Sequence, residues 1–332
     1  MDKIAFYSGS LPIYWNSLIL TLAAATAICF FLAFYLGKSG NGAAGFAVVP
    51  LAIVLGLVCA RFFHWYCQSD SYPGFSAAMT NFAEGGYALM GVFLGCLLAA
   101  VITRTLCLHH NLPEMLDAMS LAACAGMTVG RLSALFNASD RGQVLVSFRN
   151  LPIASPINNA VSGAVEYRLA TFALQSMVAL TLLIGLTVFY VRGQKGGKLR
   201  DGDTCLVFLL LYGASQVVLD STRYDSLFFR SNGFVSVVQV LGAVALVLAM
   251  ILFSRRMVKA RGFRAWQIFL WLLIGIAIAG AGYMEYYVQR RGNEALFAYS
   301  VMSGCLAVVI ALTLLIRFLA VRVERKYYGT GG

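Results

Sequence analysis

The stretch MLDAMSLAACAGMTVGRLSALFNASDRG (residues 115–142) decides the fold. From Met115 to Phe136 it is apolar and long enough to cross a bilayer, which takes about 20 residues. Yet it carries Arg131 and closes on a cluster of small polar residues. An arginine at membrane depth costs roughly 2.5–3.5 kcal/mol on insertion scales, so one retained there points to a function. The rest of the chain extends the same theme. Of its 332 residues 60% are hydrophobic and 12% charged, against about 25% charged in a soluble domain. The mean hydropathy is +0.78. These values fit an integral membrane protein and exclude a soluble enzyme.

Nine apolar runs, separated by polar connectors such as GKSGNG and RGQKGGKLRDGD, are read as transmembrane helices over 16–36, 45–67, 85–103, 115–136, 169–191, 204–222, 234–253, 265–288 and 297–316. Lys and Arg crowd the loops around 192–200 and 255–264 and the C-terminal tail. The positive-inside rule then puts the N-terminus outside and the C-terminus in the cytoplasm. The net charge of +11 is thereby explained as anchoring. Because the basic residues are scattered between spans, nucleic acid is not an expected partner. Eight cysteines lie mostly inside apolar runs, with no C-x-x-C spacing, so neither a metal centre nor a disulfide framework is expected. No cleavable signal peptide is evident, and no motif calls for a cofactor. The paired histidines His109 and His110 read as solvated in an inner loop.

With this topology the unusual polar residues gather at the outer face. Arg61 and His64 (ARFFHWYC) close the second span, FAEGGYALMG (82–91) opens the third, Arg131 to Gly142 closes the fourth, and YGASQVVLDSTRYDS (212–226) closes the sixth. Gln216, Asp220 and Arg223 are spaced to share a helix face. Arginines with a carboxylate and close-approaching glycines suit a phosphate-bearing headgroup, since the guanidinium fork donates to phosphate oxygens in pairs. A structural reading stands beside this one. Arg61 could snorkel to the interface or pair with Glu84, His64 could belong to an aromatic belt, and Gly85, Gly86, Gly91 and Gly95 could serve helix packing.

The succession EGGYALMGVFLG, GRLSALFNASDRG, YGASQVVLDSTRYDS and FVSVVQVLG resembles the bacterial prolipoprotein diacylglyceryl transferase family, whose stretches run D-G-G-x-S-x-H-G-G-x-x-G, G-R-[IL]-G-N-F-x-N-x-E-x-x-G, R-x-x-x-E-x-x-R and S-M-G-Q-I-L. By position the matches are Gly85, Gly86, Gly91, Gly95, Gly130, Arg131, Asn137, Gly142, Tyr212, Arg223 and Gln239, with Asp220 in place of a glutamate. Met90 stands where the family has histidine, Ala134 for asparagine, Ser139 for glutamate and Gln216 for arginine. The resemblance implies a seven-span transferase-like core over 1–255, followed by a two-span hairpin with a basic tail over 256–332.

It also implies transfer of diacylglyceryl from phosphatidylglycerol, or another anionic phospholipid, to the lipobox cysteine of a prolipoprotein at the bacterial cell membrane. Arg131, Arg223, Asp220 and His64 would be the catalytic residues. Arg131, Asn137, Gly142, Gly85, Gly86, Tyr212 and Gln216 would bind substrate. The four departures leave a second reading open, a relative that binds anionic lipid without the chemistry.

Overall fold

A computed structural model of the protein describes residues 4–39, 41–81, 85–108, 110–137, 139–145, 153–158, 163–197, 199–229, 235–291 and 294–328. Among these residues nine helices are long and apolar enough to span a membrane. In chain order the elements are the hairpin β1 (Ile4–Ser8) and β2 (Leu11–Tyr14), α1 (Trp15–Ser39), α2 (Gly42–Cys67), the short α3 (Phe75–Thr80), α4 (Leu89–Thr103), α5 (Leu112–Gly130), the hairpin β3 (Ala154–Asn158) and β4 (Val165–Leu169), α6 (Thr171–Lys195), α7 (Asp203–Ser221), α8 (Val237–Arg261), α9 (Ala265–Arg291) and α10 (Ala295–Tyr328). The nine expected spans are all present. The two hairpins and α3 were not expected. Their strands of four or five residues carry too little pattern to separate from loop.

Two compact units emerge, Met1–Cys205 with Thr222–Val238, and Leu206–Ser221 with Gln239–Gly332. In the first, α1 packs along α5 and α2 along α4. The second pair meets backbone to backbone. A Cβ on Gly91 would lie 2.4 Å from the Cys59 carbonyl oxygen, and one on Gly95 the same distance from that of Leu55. These glycines therefore serve close helix packing, the membrane substitute for a hydrophobic driving force. The N-terminus of α7 is capped from another helix. Asp117 of α5, fully buried, accepts the backbone N–H groups of Gly202 and Cys205, each at 2.8 Å. This satisfies donors that a helix start leaves without intrahelical partners.

The span expected over 115–136 is present as Leu112–Phe136, with the α-helix stopping at Gly130 and Arg131–Phe136 continuing it as a 3-10 turn. The tighter turn hands the chain to an extended Asn137 and then to Asp140 in the left-handed region (φ 56°).

The second unit holds the rest of α7 with α8, α9 and α10. A Cβ on Gly213 would meet the Gly242 carbonyl oxygen at 2.4 Å, so α7 and α8 touch through glycines. Trp271 of α9 donates its indole N–H to Ser254 Oγ of α8 at 3.1 Å.

Candidate functional site

The first unit gathers two arginines and two aspartates that are far apart in sequence. Asp140 accepts from Arg131 Nη1 at 3.1 Å and from Arg223 Nη2 at 2.7 Å. Arg223 also pairs with Asp225, at 3.0 Å from Nη2 and 3.1 Å from Nε. The second oxygen of Asp225 accepts the Asp140 backbone N–H at 2.8 Å. The four side chains are 12–25% exposed, so they are partly withdrawn from water yet reachable. Burial by itself would raise the Asp140 carboxyl, but the two guanidinium groups outweigh it and hold it below the usual carboxylate range. Only Nη1 of Arg131 is engaged among the described residues. A guanidinium has five N–H donors, and among the described residues those on Nε and Nη2 carry no protein partner and suit an anion.

Backbone pairing holds this cluster in place. Gly142 N donates to Leu169 O at 2.8 Å, Leu169 N to Gln143 O at 3.1 Å, and Tyr224 N to Arg141 O at 3.1 Å. The segment after Asp140 thus lies between β4 and the residues around Arg223. Gly142 is required for the approach, because a Cβ there would sit 2.8 Å from Leu169 Cβ, Thr171 Oγ1 and the Thr222 carbonyl oxygen. Arg141 braces the turn. It bonds Ser155 Oγ, the Pro156 carbonyl oxygen at 3.2 Å and that of Asn137 at 2.9 Å, and its guanidinium lies 5.7 Å from the Phe172 ring centre. Burial lowers the Arg141 pKa, which leaves an arginine charged. Asn137 closes the turn with its own side chain, Oδ1 accepting Ser139 N at 3.0 Å and Ser139 Oγ at 2.5 Å.

His64 and Gly86 belong to a different cluster, built on Arg61. That residue is fully buried and donates to the carbonyl oxygens of Ala78 (2.5 Å), Asn81 (2.7 Å) and Gly86 (3.1 Å) and to Tyr72 Oη (3.2 Å). The snorkelling expectation for Arg61 is corrected. It is a clamp that closes the loop between α2 and α4. Its suggested partner Glu84 lies outside the described residues, as does His109. His110 is buried, against the solvated reading. His64 Nδ1 is 2.8 Å from Tyr72 Oη. Gly85 and Gly86 both take positive φ (72° and 81°), and a Cβ on Gly86 would collide with Tyr72 Oη at 2.4 Å.

Tyr212, Gln216 and Asp220 lie on the part of α7 that belongs to the second unit, all nearly fully buried. Gln239, also there, donates to the Val217 carbonyl oxygen at 3.1 Å. Sequence reasoning singled out Arg131 and Arg223 and missed Asp140 and Asp225. The signal for Asp140 was local: Asp and Asn tolerate the left-handed region far better than other side chains, and NASDRG offers such a turn.

The sequence profile described as prolipoprotein diacylglyceryl transferase matches residues 3–255. The chain belongs to this family. Among its relatives, the phosphatidylglycerol–prolipoprotein diacylglyceryl transferase of Lactococcus lactis is 28% identical over 264 residues, covering 78% of this chain and 96% of the relative. Those of Bacillus licheniformis and Clostridioides difficile are 23% and 24% identical, covering 80% and 77% of this chain and 97% of each relative. The family match and the nine spans together make the protein a multi-pass cell-membrane transferase of lipoprotein biosynthesis. Helices α9 and α10 lie beyond the residues matched to the transferase family.

Proposed function

We propose that the protein transfers the diacylglyceryl group of phosphatidylglycerol to the lipobox cysteine of prolipoproteins at the outer face of the membrane, with its N-terminus outside and its C-terminus in the cytoplasm. The observation that carries this reading is the convergence of Arg131 and Arg223 on Asp140, with Nε and Nη2 of Arg131 unengaged among the described residues. Membership of the transferase family supports the reaction. The core of the enzyme is taken as 1–255, with 256–332 an added two-span hairpin. No nucleic acid and no metal enter the scheme.

In the reaction the cysteine sulfur attacks the glyceryl carbon that bears the phosphate. A C–S bond forms, the C–O bond breaks, and the electron pair leaves with glycerol phosphate. The thiol proton passes to a base, since the thiolate is the nucleophile. Arg131 and Arg223 bind the phosphate and match the charge that grows on it as it departs. Asp140 is unsuited to be the base, because the same arginines keep it ionised and weakly basic. His64, whose Nε2 can accept a proton when its Nδ1–H donates to Tyr72 Oη, and Asp220 are the proton acceptors assigned here. Met90 cannot serve. From their positions in the family pattern, Asn137, Gly142, Gly85, Gly86, Tyr212 and Gln216 shape the headgroup's surroundings.

The test is release of labelled glycerol phosphate from headgroup-labelled phosphatidylglycerol in the presence of a lipobox peptide. Release should require the peptide and be abolished in Arg131→Ala. Lipid retained by the parent protein without any release would refute the transferase chemistry.

A further inference from the structure

The α2–α4 pair, closed at Gly91 and Gly95, opens at its other end. A groove of about 480 Å³ there is lined by Ala47, Pro50, Leu51 and Val54 of α2 and by Thr103 and Leu106. All six residues belong to membrane-spanning segments, and the four on α2 recur at helical spacing as one face of that helix. Both helices lose their regular ladder at this level. Pro50 gives no N–H to α2, and α4 passes at Arg104–Leu108 into a wider π turn, an irregularity that gathers at functional sites. Val48, Ala99 and Ala100, next along the same helices, are buried in a packed core, which holds the groove in shape.

Depth orders the groove. A Cβ on Gly95 would strike Leu55, and the two helices run antiparallel, so eight residues further along each places Thr103 level with Ala47. From Ala47 to Val54 the groove runs about 10 Å into the membrane. Spread over that length its volume gives a channel about 7 Å wide, room for an acyl chain but not for a helix of about 10–12 Å. Thr103 is 3% exposed, and its Oγ1 is without a hydrogen-bond partner among the described residues. Because Thr103 lines the groove, rotation about its Cα–Cβ bond presents the hydroxyl there. Arg104, the next residue toward the membrane face, is exposed, and its side chain enters no hydrogen bond or ion pair among the described residues. Going outward from Val54 the order is apolar channel, single hydroxyl, cation. An anionic phospholipid has the same order of tail, ester and phosphate.

We infer that this groove holds one acyl chain of an anionic phospholipid, whose ester carbonyl accepts from Thr103 and whose phosphate pairs with Arg104. The site lies at the end of α4 that leads into α5, a full span from Arg131 at the far end of α5. It is therefore separate from the arginine cluster and stands whether or not transfer occurs. In the topology proposed above, its lipid comes from the cytoplasmic leaflet.

Full-length protein in phosphatidylcholine nanodiscs receives phosphatidic acid or phosphatidylcholine with a photoactivatable diazirine on one tail, and the adducts are mapped by peptide. Residues 47–54 and 103–106 should be labelled about fivefold more by phosphatidic acid, the effect of one arginine near a membrane surface. Arg104→Gln should level the two lipids. Val54→Trp, at a position already open to lipid, should reduce labelling to that of the other lipid-facing helices while leaving the melting temperature unchanged. Thr103→Val should weaken labelling by the diester lipid and not by its diether analogue. Equal labelling by the two lipids in the parent, adducts spread evenly over the spanning helices, or labelling that survives Val54→Trp would each overturn the inference. So would a crosslink from the groove to a second copy of the chain, which would make that copy the occupant. Adducts near Arg131 are counted separately, so the transferase reading stands or falls independently.

Discussion

Asp140 holds two arginines that a phosphate must also reach, and Asp140→Asn separates these roles. Asparagine keeps the shape and the tolerance for φ 56°, so the turn survives. What is lost is the charge in two contacts, at 2.7 Å to Arg223 and 3.1 Å to Arg131, between side chains that are 12–20% exposed. Asparagine keeps one acceptor oxygen, so one contact weakens and the other, now facing the amide nitrogen, is lost, together about 2 kcal/mol of stability. Arg223 retains Asp225, which limits the damage to this figure. The same change releases the arginine donor that faces the amide nitrogen and leaves the cluster more positive. Affinity for phosphatidylglycerol should therefore rise, by about tenfold if one charge-assisted contact to phosphate is gained. Thermal unfolding in detergent reads the first effect and lipid titration in nanodiscs the second. A variant that is less stable and also binds lipid more weakly would refute the argument, for Asp140 would then be needed to aim the arginines rather than to compete for them.

The depressed Asp140 pKa gives a pH dependence of defined sign. Its folded value lies below its unfolded one, so its contribution is complete above about pH 4–5 and is lost as the pH falls through the folded value. The stability gap between parent and Asp140→Asn should be constant near neutrality and close in acid, as followed by unfolding at stepped pH. Arg61→Ala should cost roughly 3–5 kcal/mol by stranding four acceptors around a buried vacancy, visible as a loss of folded protein in detergent. Arg61→Lys should recover little, because an ammonium cannot reproduce the fork. Gly91→Ala should destabilise by about 1–3 kcal/mol, since the new methyl meets the backbone of α2 rather than a movable side chain. A melting temperature equal to the parent's would refute that packing argument.

Hydropathy made the spans legible, because a bilayer acts on 20-residue windows and tolerates little ambiguity. Arg131 was legible for the same reason, as a charge in the wrong solvent. Its partner was not. Asp140 and Arg223 meet across 82 intervening positions of chain, and nothing in the periodicity of either segment announces the meeting. Arg61 was visible as an anomaly but its use was not, since its acceptors are mostly backbone carbonyls, which every sequence contains. The glycines divided on geometry alone: Gly91 and Gly95 admit a neighbouring helix, Gly86 a tyrosine hydroxyl, Gly142 the Leu169 and Thr171 side chains and the Thr222 carbonyl oxygen.

The seam between α2 and α4 has a consequence for traffic. An acyl chain is about as wide as a row of methylene groups, and where even one added carbon would strike a carbonyl oxygen no such chain can slip between the helices. That flank of the protein is shut to lipid along its glycine contacts. A two-tailed lipid finds no passage between α2 and α4 at the levels of Gly91 and Gly95.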